Sequence, residues 1–86
     1  MTTTSSLPAP DLDIDCEGLL CPLPVLRLRK RLQGTASGTL VSVRTTDRMA
    51  DVDLPHFCHE SGHAYLGKED LAGSNPSVTR HFIRVK

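Results

Sequence analysis

The chain reads as an α+β domain with the element order strand, helix, strand, helix, strand, strand. Three observations predict it. Residues 11–16 alternate polar and apolar side chains without a break, the period of a strand with one wet face. A helical segment over residues 22–32 separates them from a second strand-like run at 39–45, which fits one right-handed βαβ unit. A second helical pattern over 53–61 then leads into two further extended segments, 63–67 and 78–86.

In the first strand Leu12, Ile14 and Cys16 share a face, so the acids Asp11, Asp13 and Asp15 turn to water and Cys16 turns to the core. The first helix carries Pro22 and Pro24 in its opening turn, where a missing N–H costs little. Val25, Leu28 and Leu32 form its apolar face, with Leu26 at the margin. Arg27, Lys30 and Arg31 form the opposite stripe, while Arg29 falls inside the apolar arc and must snorkel out. Gly34 supplies the stop. Residues 35–38 turn the chain, and the strand at 39–45 has apolar residues on both faces, as an interior strand does. After a connector at 46–50, Asp51 or Asp53 caps the second helix, and with Asp53 as the cap Pro55 falls in its first turn. Leu54, Phe57, Cys58 and Ser61 line one side of that helix, and Gly62 ends it. Residues 68–77, with Gly73, Asn75 and Pro76, read as a loop. In the last strand Ile83 and Val85 share one face, Val78 and Phe82 the other.

With 86 residues there is room for one domain and a modest core. Apolar residues make up 38% and aromatics 3%, so that core is built from Leu, Val and Ile. Ten basic residues balance ten acidic ones, which argues against direct nucleic-acid binding. No stretch approaches the roughly 18 apolar residues of a membrane span. Residues 1–10 lack the features of a secretory signal and are expected to be a disordered tail before a domain at 11–86. Three cysteines, an odd number, point to free thiols and a reducing, cytoplasmic setting. His56, Cys58, His59 and His63 match no structural-zinc spacing, so no metal is expected. No Ser-His-Asp, phosphate-loop or dinucleotide pattern is present.

What remains is the run Gly18-Leu19-Leu20-Cys21-Pro22-Leu23-Pro24-Val25-Leu26. The two prolines fix a helix start just after Cys21, beside the N–H groups and positive dipole end of the first turn. Both features favour a thiolate, so the thiol is expected to be acidified and nucleophilic. Gly18 permits the tight path that presents it. Cys16 is a poor redox partner for it, because its strand face points inward.

The run from Asp15 to Leu26, followed by Arg29 and Lys30, resembles the signature of the TusA/SirA family of sulfur carriers. The likeness continues in Asp53-Leu54-Pro55-His56-Phe57-Cys58 and in Phe82-Ile83-Arg84-Val85-Lys86. It implies a two-layer α/β sandwich, β-α-β-α-β-β, with two helices on one face of a four-stranded mixed sheet. It also implies that Cys21 accepts sulfane sulfur as a persulfide and passes it on, with no cofactor beyond that cargo. Implied donors are PLP-dependent cysteine desulfurases or rhodanese-like proteins. Implied acceptors include DsrE-like proteins, on routes to tRNA thiolation, molybdenum cofactor synthesis or sulfur oxidation. Gly18, Pro22 and Pro24 then position the thiol, and Arg27, Lys30 and Arg31 are the candidates for docking partners to a monomeric carrier. Two positions depart from the family pattern. Leu20 replaces a residue that is often polar or basic, and Asp47-Arg48 replaces a common Asp-Pro step. The rival readings are a regulatory module in which Cys21 only senses redox state, and an RNA-binding domain, since the sandwich also resembles the C-terminal domain of a translation initiation factor.

Overall fold

A computed structural model describes residues 9–71, 73 and 77–86. Residues 1–8 of the tail expected at 1–10, and the loop residues Asn75 and Pro76, lie outside the described residues. The elements are β1 (Leu12–Cys16), α1 (Leu23–Leu32), β2 (Leu40–Thr45), α2 (Ala50–Ser61), β3 (Ala64–Leu71) and β4 (Val78–Arg84). They build one four-stranded sheet in the order β1-β2-β4-β3. β1 runs parallel to β2, and β4 runs antiparallel to both β2 and β3, so the sheet is mixed.

Alternation along the strands decides where the core forms. Ile14 and Cys16 of β1, Val41 and Val43 of β2 and Ile83 of β4 all project from one face. Leu28 and Leu32 of α1 and Ala50, Leu54, Phe57 and Cys58 of α2 cover that face, so both helices pack on the same side. Each fully buried leucine, Leu28 and Leu54, contributes about 2 kcal/mol of transfer free energy. β2 is buried on both faces, as an interior strand with apolar residues on each side should be. On the other face the β1 acids do not simply face water. Arg44 of β2 pairs with Asp13 at 3.0 Å, with Glu17, and more distantly with Asp15 at 3.9 Å.

Two element boundaries differ by more than two residues from those read in the sequence. α2 begins at Ala50, not near residue 53, so Pro55 lies inside the helix and neither Asp51 nor Asp53 caps it. The start is set one residue pair earlier: the Asp47 side chain accepts the Met49 N–H at 3.1 Å, and its carbonyl accepts the Ala50 N–H at 3.0 Å. β3 runs on to Leu71, through residues expected to form a loop, and Lys68 to Leu71 pair with His81 to Val78. A run as polar as Lys68-Glu69-Asp70 carries no apolar alternation, yet suits a strand on the sheet edge, where charge deters pairing with other chains. The helix stops fall where expected, with Gly34 and Gly62 at positive φ.

Candidate functional site

The site begins where β1 ends. After Cys16 the chain turns through Gly18, whose φ of 83° is a left-handed conformation that glycine adopts without strain. The Gly18 N–H donates to Thr46 Oγ1 at 2.9 Å and the Cys21 N–H donates to Asp47 Oδ2 at 2.7 Å. The loop after β2 therefore holds the loop after β1. Pro22 stands at the helix N-cap and Pro24, buried against the core, within the first turn. Cys21 is exposed, whereas Cys16 and Cys58 are buried free thiols. Burial pushes both of the latter up, Cys58 to about 11, which leaves them protonated and inert.

The electrostatics at Cys21 differ from the expected acidified thiol. The N–H groups nearest the sulfur are already committed. That of Cys21 donates to Asp47, that of Leu23 donates to the Leu20 carbonyl at 2.7 Å, and the prolines have none. Asp53, one turn into α2, instead shares the thiol's cleft. Hydrogen bonding of the protonated thiol toward Asp53, then slight desolvation and the charges of Asp53 and Asp47, holds the Cys21 thiol above its ordinary value. Asp47 is itself held below the usual carboxylate range by the N–H groups of Cys21 and Met49. Neither aspartate was singled out as a site residue in the sequence, because each is joined to Cys21 only by the fold.

Cys21 opens onto a cleft of about 400 Å³ between the helices, lined also by Val25, Arg29, Asp53, His56 and Phe57. Arg29 thus reaches the cleft rather than the core, and His56 shares the cysteine's cleft although nothing in the sequence placed a histidine there. Leu20, 68% exposed, and Leu23, 48% exposed, form an apolar rim beside the thiol. Of the basic stripe, Lys30 and Arg31 are exposed. Arg27 is also exposed, but its guanidinium donates to the Asp15 carbonyl at 2.7 Å and ties α1 to the end of β1. His59 is exposed on α2, and the His63 ring accepts the Lys86 N–H at 3.2 Å.

A family model described as sulfurtransferase TusA matches residues 12–85, nearly the whole chain. The chain belongs to the TusA/SirA family. Sulfur carrier protein TusA of Pseudomonas putida is 38% identical over 65 residues, covering 76% of this chain and 81% of that one. The Pseudomonas entomophila protein of the same name is 39% identical over 64 residues, 74% of this chain and 80% of its own. YrkF of Bacillus subtilis is 32% identical over 71 residues, 83% of this chain, but this chain spans only 36% of YrkF. The crystal structure of a SirA-like protein from Desulfitobacterium hafniense superposes with a TM-score of 0.65 at 24% identity, covering 87% of this chain and 99% of that one. That likeness agrees with the two-layer sandwich and with both helices lying on one face of the sheet. A TusA-family sulfur carrier works between sulfur donors and acceptors. Among the described residues, no helix is long and apolar enough to cross a membrane.

Proposed function

We propose that this chain carries sulfane sulfur as a persulfide on Cys21 and delivers it to an acceptor thiol. One observation carries the reading: in a sulfur-carrier family chain, Cys21 is the exposed member of three free cysteines, held at a helix start on an open cleft. In loading, the Cys21 thiolate attacks the outer sulfur of a donor persulfide. A new S–S bond forms at Cys21, the donor's S–S bond breaks, and the donor leaves as a thiolate that takes up the proton Cys21 gave. In discharge an acceptor thiolate attacks the outer sulfur of the Cys21 persulfide and Cys21 leaves in turn. The sulfur changes partners without net oxidation, so no resident cofactor is required. Gly18, Pro22 and Pro24 keep the loop stiff, which limits the ordering cost when a partner docks.

Within this reading the donor is a cysteine desulfurase or a rhodanese-like protein and the acceptor a DsrE-like or comparable thiol protein, all in the cytoplasm. The monomeric carrier feeds tRNA thiolation, molybdenum cofactor synthesis or sulfur oxidation without contacting nucleic acid itself. Partners meet the apolar rim at Leu20 and Leu23, and the exposed charges of Lys30 and Arg31 steer them. Arg27 contributes mainly by bracing α1.

The test is loading by polysulfide, read as intact mass. Wild type, Cys16→Ser and Cys58→Ser should each gain sulfur, and Cys21→Ser should gain none. Sulfur retained by Cys21→Ser overturns the assignment. Lys30→Glu with Arg31→Glu should load from polysulfide like wild type while accepting sulfur from a desulfurase several-fold more slowly. Equal rates from the desulfurase would remove the steering role.

A further inference from the structure

Carboxylates crowd the carrier thiol. Asp53 and Glu60 line the cleft onto which Cys21 opens, and Asp47 accepts the Cys21 backbone N–H at 2.7 Å. Arg29 is the one guanidinium or ammonium among the described residues lining that cleft, and His56 is its imidazole. Asp53 and Glu60 place two carboxylates in the cleft that the sulfur opens onto, against the single guanidinium of Arg29, so an incoming donor meets negative charge there. An anionic donor is opposed there, and a donor carrying a cation beside its reactive sulfur is drawn in. A cation that pairs with Asp53 also offsets the carboxylate charge that opposes the thiolate, so the proton leaves Cys21 more readily as the donor arrives.

We propose that Asp53 selects the sulfur donor by charge, so that Cys21 reacts preferentially with sulfur compounds presenting a cationic group next to the bond it attacks. This rests on reading Cys21 as the sulfur-carrying residue and adds the chemistry of the partner it receives from: a donor surface with Lys or Arg beside its persulfide. Small anionic polysulfides remain substrates, but disfavoured ones.

Thiol–disulfide exchange tests the selectivity apart from sulfur carriage. The Cys21 thiolate attacks one sulfur of a symmetric disulfide, the S–S bond breaks, a mixed disulfide forms and one thiol leaves. Rates at Cys21 are measured by peptide mass with cystamine, which bears two ammonium groups, and with dithiodiglycolate, which bears two carboxylates. The cystamine-to-dithiodiglycolate ratio is divided by the same ratio for N-acetylcysteine amide, which removes the intrinsic reactivity of the two reagents. For wild type at low salt the normalised ratio should be about tenfold. It should collapse toward one at about 0.5 M salt, where exposed charges are screened. Asp53→Asn should lower it at least threefold, while Asp53→Glu keeps it. A wild-type ratio near one overturns the proposal, as does an Asp53→Asn ratio equal to wild type. Should Asp53→Asn fail to fold by circular dichroism, the salt titration decides, and a preference that survives high salt overturns it. Failure of polysulfide loading at Cys21 would overturn the carrier reading and leave these exchange ratios intact, so the two failures are distinguishable.

Discussion

Cys21 stands between two electrostatic influences of opposite sign. The start of α1 lends the sulfur the positive end of a helix dipole, which favours the thiolate. The Asp53 carboxylate in the same cleft favours the thiol, because a carboxylate can accept a hydrogen bond only from the protonated form. The second influence wins here, because the nearest N–H groups are already bonded elsewhere and the carboxylates are adjacent. Alkylation of Cys21 followed against pH should therefore inflect above the free-thiol value of about 8.5, and Asp53→Asn should move the inflection down. An inflection below the free value in wild type would restore the dipole as the controlling influence. The position of the thiol was legible in the sequence, since Gly18, Pro22 and Pro24 are local signals that act within one turn. Its charge environment was not, because Asp53, Asp47 and His56 reach it from α2 and the loop before it, and no local pattern encodes such an approach.

At the scale of elements, Asp47 is the joint between the two helix starts. One carboxylate accepts the Cys21 N–H ahead of α1 and the Met49 N–H ahead of α2, so the two turns are registered by a single side chain. Asp47→Ala should speed amide hydrogen exchange at Cys21 and Met49 by about tenfold or more, with little change at core amides such as Val43. Unchanged exchange at both amides would show the joint to be unnecessary. Because the folded carboxyl sits below its ordinary value, this contribution is present above the unfolded Asp pKa of about 3.9 and is lost as pH falls through the folded one. The α2 start was misjudged for the same reason: Asp51 and Asp53 are good caps by composition, but Asp47 supplies the acceptor first and Pro55 is accommodated within the helix. β1, α1 and β2 were legible because their periodicity is clean and their ends carry glycine or proline. The second half of β3 was not, since an edge strand whose partners are Glu69 to Arg80 and Asp70 to Thr79 needs no apolar alternation.

For the molecule as a whole, a titrating group that bears on stability below neutral pH is His81, fully buried on the helix-facing side of β4. Its Nδ1 meets the Tyr65 hydroxyl at 2.8 Å, its Nε2 the Thr45 hydroxyl at 3.1 Å, and Asp51 lies 3.7 Å away. Burial lowers its pKa to about 4, against partial compensation from Asp51 and Asp70 and a further lowering by Lys68. The unfolded chain, with an imidazole near 6.5, binds a proton that the folded chain refuses between those values. Stability should therefore fall as pH drops below about 6.5 and stop falling on this account below about 4, by roughly 3 kcal/mol in all. Urea unfolding at pH 7.5 and 5 should differ by about 2 kcal/mol, and His81→Gln should remove most of that difference. An equal pH slope in the variant would place the titration elsewhere. None of this was readable in the sequence, where His81 is one polar residue in a strand whose neighbours Phe82 and Ile83 dominate the pattern.

The carrier account is tested most directly by following one sulfur atom through the protein. Cys21 is loaded with radiolabelled polysulfide, freed of donor by gel filtration, and mixed with an excess of a reduced acceptor thiol protein of the DsrE-like kind. The account predicts that label leaves Cys21 for the acceptor with Cys21 recovered as the free thiol, and that Cys21→Ser protein passes on none. Label that stays on Cys21, or transfer that proceeds equally through Cys21→Ser, would contradict it.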